Sequence, residues 1–346
     1  PRDDWGNWFG CANPNPMWHY VQKDSYISRN PYLAAPRFRK NVSVVPGPSP
    51  VFPVSRTLAR FNDPWAVNRF TSACSTMVYR DDLLGSRFVG NSFVCEPVHN
   101  LVHREIMEPD GATFSSHRAI DERNSEFFAS TDNWSRPVMT RTGADGALWI
   151  ADMYREQIEH PAYVPKELQV GIDFRAGEDR GRIYRVYPAG SQPKEVPVLT
   201  EKSPEELAKI FETVNGTVRD MVHAFIVQDN KTDCVEPFRK LVTKSTLPVV
   251  RMQALCVLDG LGAIEASDVL HALNDEHPGV VRHAVRLSES WIEDPKITLT
   301  LGGLTASATD AFLCQQLAYT LGEWDDVESG PALAQLALRV GEDSDL

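Results

Sequence analysis

The sequence predicts a multidomain β plus α chain: a strand-rich part over residues 1–190, a linker over 191–202 and HEAT-like helical repeats, an α-solenoid, over 203–346. Three observations carry this reading. Short apolar runs broken by Pro, Gly and Asp-Gly turns crowd the first part, a proline-containing capping signal opens the second, and Val-Arg pairs recur there at a helix-pair period. A chain of 346 residues is too long for one ordinary core, and about two domains is the expectation.

Taken in order, Trp5-Gly-Asn-Trp-Phe-Gly10 reads as a strand and turn in mid-pattern. With Pro1 where a methionine would stand, it predicts a processed or fragmentary chain. Asn13-Pro-Asn-Pro-Met-Trp-His19 and the proline-rich 45–53 are expected to be ordered loops or extended crossovers, because proline removes a ladder donor from a central strand. Strands are predicted at 87–94, 98–102, 112–116, 127–129, 138–141, 147–151 and 181–186. Such spacing suggests a sandwich or a propeller. Within 131–154, a tight Asp145-Gly146 turn leads into the β-branched and aromatic 147–151, as in one hairpin of a blade. About four strands make a blade, so this part supplies about three or four blades, and a ring would need others upstream.

Ser203-Pro204-Glu205-Glu206 combines an N-cap serine, proline at the first helical position and glutamate at the third. Leu207, Ile210, Phe211 and Val214 continue one apolar face. Val218-Arg219, Val250-Arg251 and Val281-Arg282 follow at spacings of 32 and 31 (250 − 218 and 281 − 250), and Phe312-Leu-Cys-Gln315 falls one period on. Pro248 and Pro278 start two helices, and 274–277 turns between a pair. Stacked helix pairs of this length bury each apolar face on the next.

Lys+Arg 35 against Asp+Glu 47 gives a net charge of −12, which repels a phosphate backbone. Nucleic acid and anionic membranes are thereby poor partners. No apolar run approaches the roughly 18–20 residues of a membrane span, so no transmembrane segment is expected within these residues. The six cysteines include no Cys-x-x-Cys, which removes zinc ribbons, thioredoxin chemistry and covalent haem attachment here. Cys234, Cys256 and Cys314 sit among apolar residues and read as buried free thiols. Cys74 and Cys95 flank a segment with Asp81-Asp82 and Gly85, so neighbouring strands can bring them together, as a disulfide if the protein is exported.

Chemistry concentrates in two stretches. In Phe93-Val-Cys-Glu-Pro-Val-His-Asn-Leu-Val-His-Arg104, His99 and His103 share one face of a strand or helix, with Glu96 nearby. They read as a metal or proton-transfer pair, or as hydrogen-bonded histidines lining packed strands. Asp132, Asn133, Arg136 and Asp152 can hold a cation or orient a hydroxylated substrate, or simply cap a turn and pair locally. The run Arg175, Glu178, Asp179, Arg180, Arg182 reads as a solvated, salt-bridged surface, and Trp5, Trp8 and Trp18 as stacking platforms or packing between blades. No Gly-rich phosphate loop, Gly-x-Ser-x-Gly elbow or His-Glu-x-x-His helix occurs.

The motifs Asn15-Pro-Met-Trp-His-Tyr20, Arg69-Phe-Thr-Ser-Ala-Cys74, the 93–104 stretch, Asp132-Asn-Trp, Asp145-Gly-Ala-Leu-Trp-Ile-Ala-Asp-Met-Tyr154, Ile158-Glu-His-Pro161 and Arg175-Ala-Gly-Glu-Asp-Arg-Gly-Arg-Ile-Tyr-Arg-Val-Tyr-Pro188 resemble a known family. They are similar to the large planctomycete and verrucomicrobial (PVC-type) membrane-bound dehydrogenase or haem-binding proteins, densely over 1–190 and loosely beyond. The resemblance implies a partial β-propeller like that of quinoprotein sugar dehydrogenases, HEAT-like repeats, and a periplasmic or cell-surface, membrane-associated setting. The family's cytochrome c domain carries Cys-x-x-Cys-His, which these residues lack, so the resemblance implies that haem is expected only in a domain outside this chain.

On that footing the chain is expected to oxidise a sugar or other alcohol with pyrroloquinoline quinone and calcium, and to pass electrons to that c-type domain. His99 would serve as general base with Asp132 and Arg136 in the catalytic group, Asn133, Arg155 and His103 would hold the cofactor, and Glu96 and Asp152 the calcium ion. The site is expected at the mouth of the propeller's channel. A non-catalytic glycan- or protein-binding scaffold is the alternative, with a metal-dependent lactonase behind both.

Overall fold

The computed structural model describes residues 1–34, 37–43, 48–58, 67–324, 327 and 329–341. Residues 45–47 of the proline-rich 45–53 stretch and the end of the chain at Leu346 lie outside them. The chain combines antiparallel sheets with helices and divides into two compact units, Pro1–Asp110 with Phe114–Lys194, and Gly111–Thr113 with Glu195–Leu346.

In the first unit, β1 (Phe9–Ala12), β2 (Asn15–Tyr20) and β3 (Arg39–Asn41) make a three-stranded sheet with β2 in the middle. A short helix, α1 (Asp24–Ile27), lies between β2 and β3. The expectation that 13–19 avoids a central strand is therefore wrong. Pro16 sits where the β1–β2 register shifts between Gly10 and Ala12, and pairing with β3 starts only at Trp18, so no ladder donor is demanded of it.

The second sheet runs β4 (Cys74–Val78), β5 (Ser92–Glu96), β6 (Leu101–Asp110), β7 (Thr113–His117), with β8 (Phe128–Ala129) also on β6. Alternate residues feed different cores. Met77 and Phe93 pack with Tyr79, Leu148 and Ile150, whereas Val78 packs with Phe9 and Met17, and Val94 with Val51, Phe70 and Leu101. Both faces of β5 are thus covered, and all five of its residues are buried. The run expected as one strand at 87–94 is a short 3-10 turn, Ser86–Phe88, before β5, because Gly90 takes φ +77° between them. The strand expected at 98–102 starts only at Leu101, since Asn100 adopts φ +59°.

The third sheet orders β11 (Arg182–Val186), β10 (Leu148–Asp152), β9 (Pro137–Thr142). No closed ring of blades forms among the described residues. Cys74 faces Cys95 across the β4–β5 ladder, and all six cysteines are free thiols.

The second unit is helical. Helix α2 (Pro204–Phe211) opens with the predicted capping box: Ser203 Oγ accepts from the Glu206 amide at 3.2 Å, and the Glu206 carboxylate accepts from the Ser203 amide at 2.9 Å. There follow α3 (Gly216–Gln228), α4 (Val235–Lys244), α5 (Pro248–Gly260), α6 (Ala266–Leu273), α7 (Pro278–Leu287), α8 (Pro295–Ser307), α9 (Ala311–Gly322) and α10 (Ser329–Val340). Even-numbered helices from α2 to α10 touch in succession, and odd-numbered helices from α3 to α9 do the same, giving two rows.

Two of the three recurring arginines, Arg219 and Arg251, make the same kind of contact. Buried Arg219 donates to the Thr213 carbonyl (2.7 Å) and to Gln253 (3.1 Å) on the next odd helix. Arg251 donates to the Ser245 carbonyl (2.9 Å) and through two nitrogens to Asp275 (2.7 and 2.8 Å), just before α7. Each guanidinium clasps its own incoming turn, six residues back, to the following pair. Among the described residues, no helix is long and apolar enough to cross a membrane.

Candidate functional site

The β9–β10 hairpin has a closed end and an open end. At the closed end Asp145 accepts from the Ala147 amide (3.1 Å) and the Trp149 indole N–H (3.0 Å), which pins the indole over Gly143. A Cβ at Gly143 would run into that indole, so only glycine fits there.

At the open end the pairing continues past both strands, with Met153 N donating to Arg136 O and Arg155 N to Trp134 O, each at 2.9 Å. Residues on either side of the hairpin, 132–136 and 152–155, are therefore held side by side. Arg182, opposite Asp152 at the start of β11, joins them. Asp152 is fully buried and its oxygens are taken: Oδ1 accepts from Arg136 N (2.6 Å) and Tyr154 N (2.9 Å), and Oδ2 from Ser135 (2.9 Å), Arg182 (2.9 Å) and Tyr184 (3.3 Å).

Arg136 is spent on backbone. Its guanidinium donates to the carbonyls of Pro97 (2.9 Å), Arg155 (2.9 Å) and Glu156 (2.7 Å), and at longer range to Val98 (3.5 Å). Burial pushes its pKa down to about 10 against the opposing pull of Asp152 and Asp132. Those bonds tie the 97–98 turn to the hairpin's open end. Asn100 reinforces the tie by donating to the Asn133 carbonyl at 3.2 Å, and Asn133 itself reaches the Arg56 carbonyl at 2.7 Å. Arg155 folds back on its neighbours, donating to the carbonyls of Met153 and Tyr154.

Glu96 is fully buried, accepting from the amides of Thr71 (3.2 Å) and Ser72 (2.9 Å) and from the Ser72 hydroxyl (2.6 Å). His99 Nε2 accepts from the Asn68 amide (3.1 Å), which puts the proton on Nδ1, facing Glu96 at 3.2 Å. His103 belongs to a separate network. It lies between Glu126 (2.8 Å) and Glu105 (3.1 Å), with Arg118 on Glu126 (2.7 Å) and Ser116 on Glu105. Burial opposes its charge, but Glu126 and then Glu105 outweigh that and raise its pKa to about 9. His103 is thus a buried imidazolium.

Loop 96–100 and residues 132–136 and 152–155 are hydrogen-bonded together, and His103 belongs to a different network. The roles assigned to several do not fit. Glu96 and Asp152 have no oxygen free of strong protein donors, so neither suits a calcium ion that must collect six to eight oxygen ligands. Arg136 has no remaining face for an acidic quinone. Among the described residues, no group of three or more His, Cys, Asp and Glu is arranged to hold a metal ion.

A different set stays partly open at the same place. The side chains of Asp132 and Arg182 are 40% and 41% exposed and 3.8 Å apart. The Arg182 guanidinium lies over the Tyr154 ring at 4.3 Å, and the Trp134 and Tyr154 rings stand 5.9 Å apart. Partial desolvation and a hydrogen bond to Asp132 raise the Tyr154 hydroxyl above its usual range. Tyr154 holds φ +54°, costly for a bulky side chain and sustained by the Asp152 oxygen on its amide. Gly177, at φ +91°, passes so close that a Cβ would meet the Tyr154 carbonyl at 2.9 Å and Trp134 at 3.5 Å. Sequence reasoning gave Trp134 and Tyr154 no role and left Arg182 in a solvated charge run. An aromatic two residues after each of Asp132 and Asp152 was the available signal.

The comparisons with known proteins meet this geometry at one point. No curated protein and no solved structure matches the chain. The family model described as "Domain of unknown function (DUF7133)" matches residues 1–190, more than half the chain and all of the candidate site. This chain belongs to the DUF7133 family.

Proposed function

We propose that residues 1–190 hold a sugar or another polyhydroxylated alcohol at Asp132, Trp134, Tyr154 and Arg182, as the substrate-engaging part of an exported PVC-type dehydrogenase. The observation that carries this is the half-exposed Asp132–Arg182 pair beside two aromatic rings. A carboxylate accepts from vicinal hydroxyls, a guanidinium donates to ring and hydroxyl oxygens, and an aromatic face packs on the apolar face of a pyranose. In this reading the sheets of the first unit are later blades of a quinoprotein-like propeller. The two rows of helices and their arginine period support a HEAT-like array for the second. The setting is periplasmic or cell-surface, and electrons leave to a c-type haem domain outside this chain. The oxidant, a quinone such as pyrroloquinoline quinone with calcium, requires residues other than Glu96, Arg136 and Asp152.

A non-catalytic glycan-binding scaffold is the second reading. It is favoured by His99, the expected general base, whose two ring nitrogens are both engaged, by the Asn68 amide and by Glu96. Calorimetry of the chain against a panel of neutral and acidic sugars tests the shared part. Binding should weaken about 10- to 100-fold in Asp132→Asn and Arg182→Ala, the loss of a charge-assisted hydrogen bond. A chain that binds no sugar, or whose variants bind as well as the parent, sinks the site. Dye reduction by the full-length protein with the bound sugar then separates dehydrogenase from scaffold.

A further inference from the structure

Helix α5 carries Met252 and Cys256 one turn apart on one face, and α7 packs beside it. The Cys256 sulfur lies 4.0 Å from the Met252 sulfur and 3.9 Å from His283 Nδ1. Met252 is buried, and Cys256 and His283 are half-buried, so the group has an apolar floor and an approach from solvent. One turn further along the same two helices, Arg286 and Asp259 pair at 3.9 Å across the seam.

Thiolate, thioether and imidazole together are a soft donor set, which selects monovalent copper over hard, oxygen-seeking cations. The spacing suits it. With bonds of about 2.3 Å to sulfur and about 2.0 Å to nitrogen, as for d10 zinc, a trigonal plane sets its sulfurs about 4.0 Å apart and sulfur from nitrogen about 3.7 Å. Both observed separations fall within a few tenths of an ångström of those values. We infer that Met252, Cys256 and His283 form a binding site for a soft monovalent metal ion, Cu(I). On binding, the Cys256 thiol releases its proton to solvent as the copper–sulfur bond forms, His283 gives the Nδ1 lone pair and keeps its proton on Nε2, and copper stays Cu(I). The site stands apart from the sugar reading, since it lies in the helical unit and uses none of the same residues.

The test is anaerobic titration of the reduced chain with Cu(I) against a chromophoric Cu(I) chelator, with Ag(I) as a redox-inert second probe and Zn(II) as a borderline divalent competitor. One tight equivalent is expected. Even an outer-shell partner is worth about 10- to 100-fold in metal affinity, so Cys256→Ser should lose about 100-fold or more, and Met252→Leu and His283→Gln about tenfold or more. Met252→Leu conserves volume and leaves every thiol in place, so it keeps the test decisive should another variant fail to fold. Wild-type-like binding in Met252→Leu and His283→Gln would mean adventitious capture by thiols and overturn the site. So would the absence of a tight Cu(I) equivalent, or Zn(II) binding with equal affinity at the same three residues.

Discussion

Replacing Arg136 by alanine is expected to unfold the first unit early rather than to disable a cofactor site. The side chain makes three bonds of 2.7–2.9 Å to the carbonyls of Pro97, Arg155 and Glu156. Hydrogen bonds from a charged donor contribute roughly 1.5–3 kcal/mol each. Arg155 and Glu156 are partly or fully exposed, so water takes over some of what is lost. The net cost is about 3–5 kcal/mol, the range seen when one partner of a buried charged contact is removed. For a domain of about 190 residues, each kcal/mol is about 2–4 °C of Tm, so the fall should be roughly 10 °C. Six of the eight tryptophans lie in the first unit, the others being Trp291 and Trp324, so with both replaced by phenylalanine fluorescence follows the first unit and far-UV dichroism the helices. A loss below about 1 kcal/mol, with sugar or quinone binding abolished, would show Arg136 to be a ligand-holding residue and refute the clasp.

Four further outcomes follow from the same geometry. His103 carries a folded pKa of about 9 against an ordinary 6.5, so its stabilisation is complete below about pH 6.5 and is lost as pH rises through about 9. Thermal unfolding between those values should show a loss on the order of 3 kcal/mol that His103→Gln removes. Ser203→Ala should cost about 1 kcal/mol of helical-unit stability in urea unfolding, and no change would mean the capping box contributes nothing. Gly177→Ala should destabilise the first unit by about 1–2 kcal/mol and weaken sugar binding with it, because both its φ and its Tyr154 contact forbid a Cβ; unchanged binding would place the ligand elsewhere. In exported protein, non-reducing digestion and mass spectrometry should find Cys74 joined to Cys95, and two free thiols there would refute the pairing.

Where a sequence pattern is local, it was legible. The 138–141, 147–151 and 181–186 runs are β9, β10 and β11 within a residue or two, because their β-favouring residues and the Asp145-Gly146 turn are local signals. The capping box and the Val-Arg period are local as well. What failed depended on the other strand. Pro16 is acceptable in β2 only because a bulge in β1 removes the need for its donor, and nothing near Pro16 announces that. The density of charge at 132–155 pointed to residues that the fold brings together, yet it could not tell clasp from ligand. Asp152 is saturated by Ser135, Arg182 and Tyr184, up to 32 residues distant, and that saturation turns a candidate ligand into a strut. Cys256 read as an inert thiol because Met252 and His283 each look like ordinary core and surface positions until two helices are laid together.

The arginine clasps of the helical unit bear on how it comes apart. Arg219 and Arg251 each hold a carbonyl of their own incoming turn and a polar group belonging to the next pair, so the pairs they join cannot melt without stripping a buried guanidinium of partners in a neighbour. Opening should therefore spread as a zipper whose teeth are about 32 residues apart, rather than as independent loss of single helices. Amide exchange would then report long blocks with shared protection factors through α3 to α7, and pulling from one end would release the chain in steps the length of a pair.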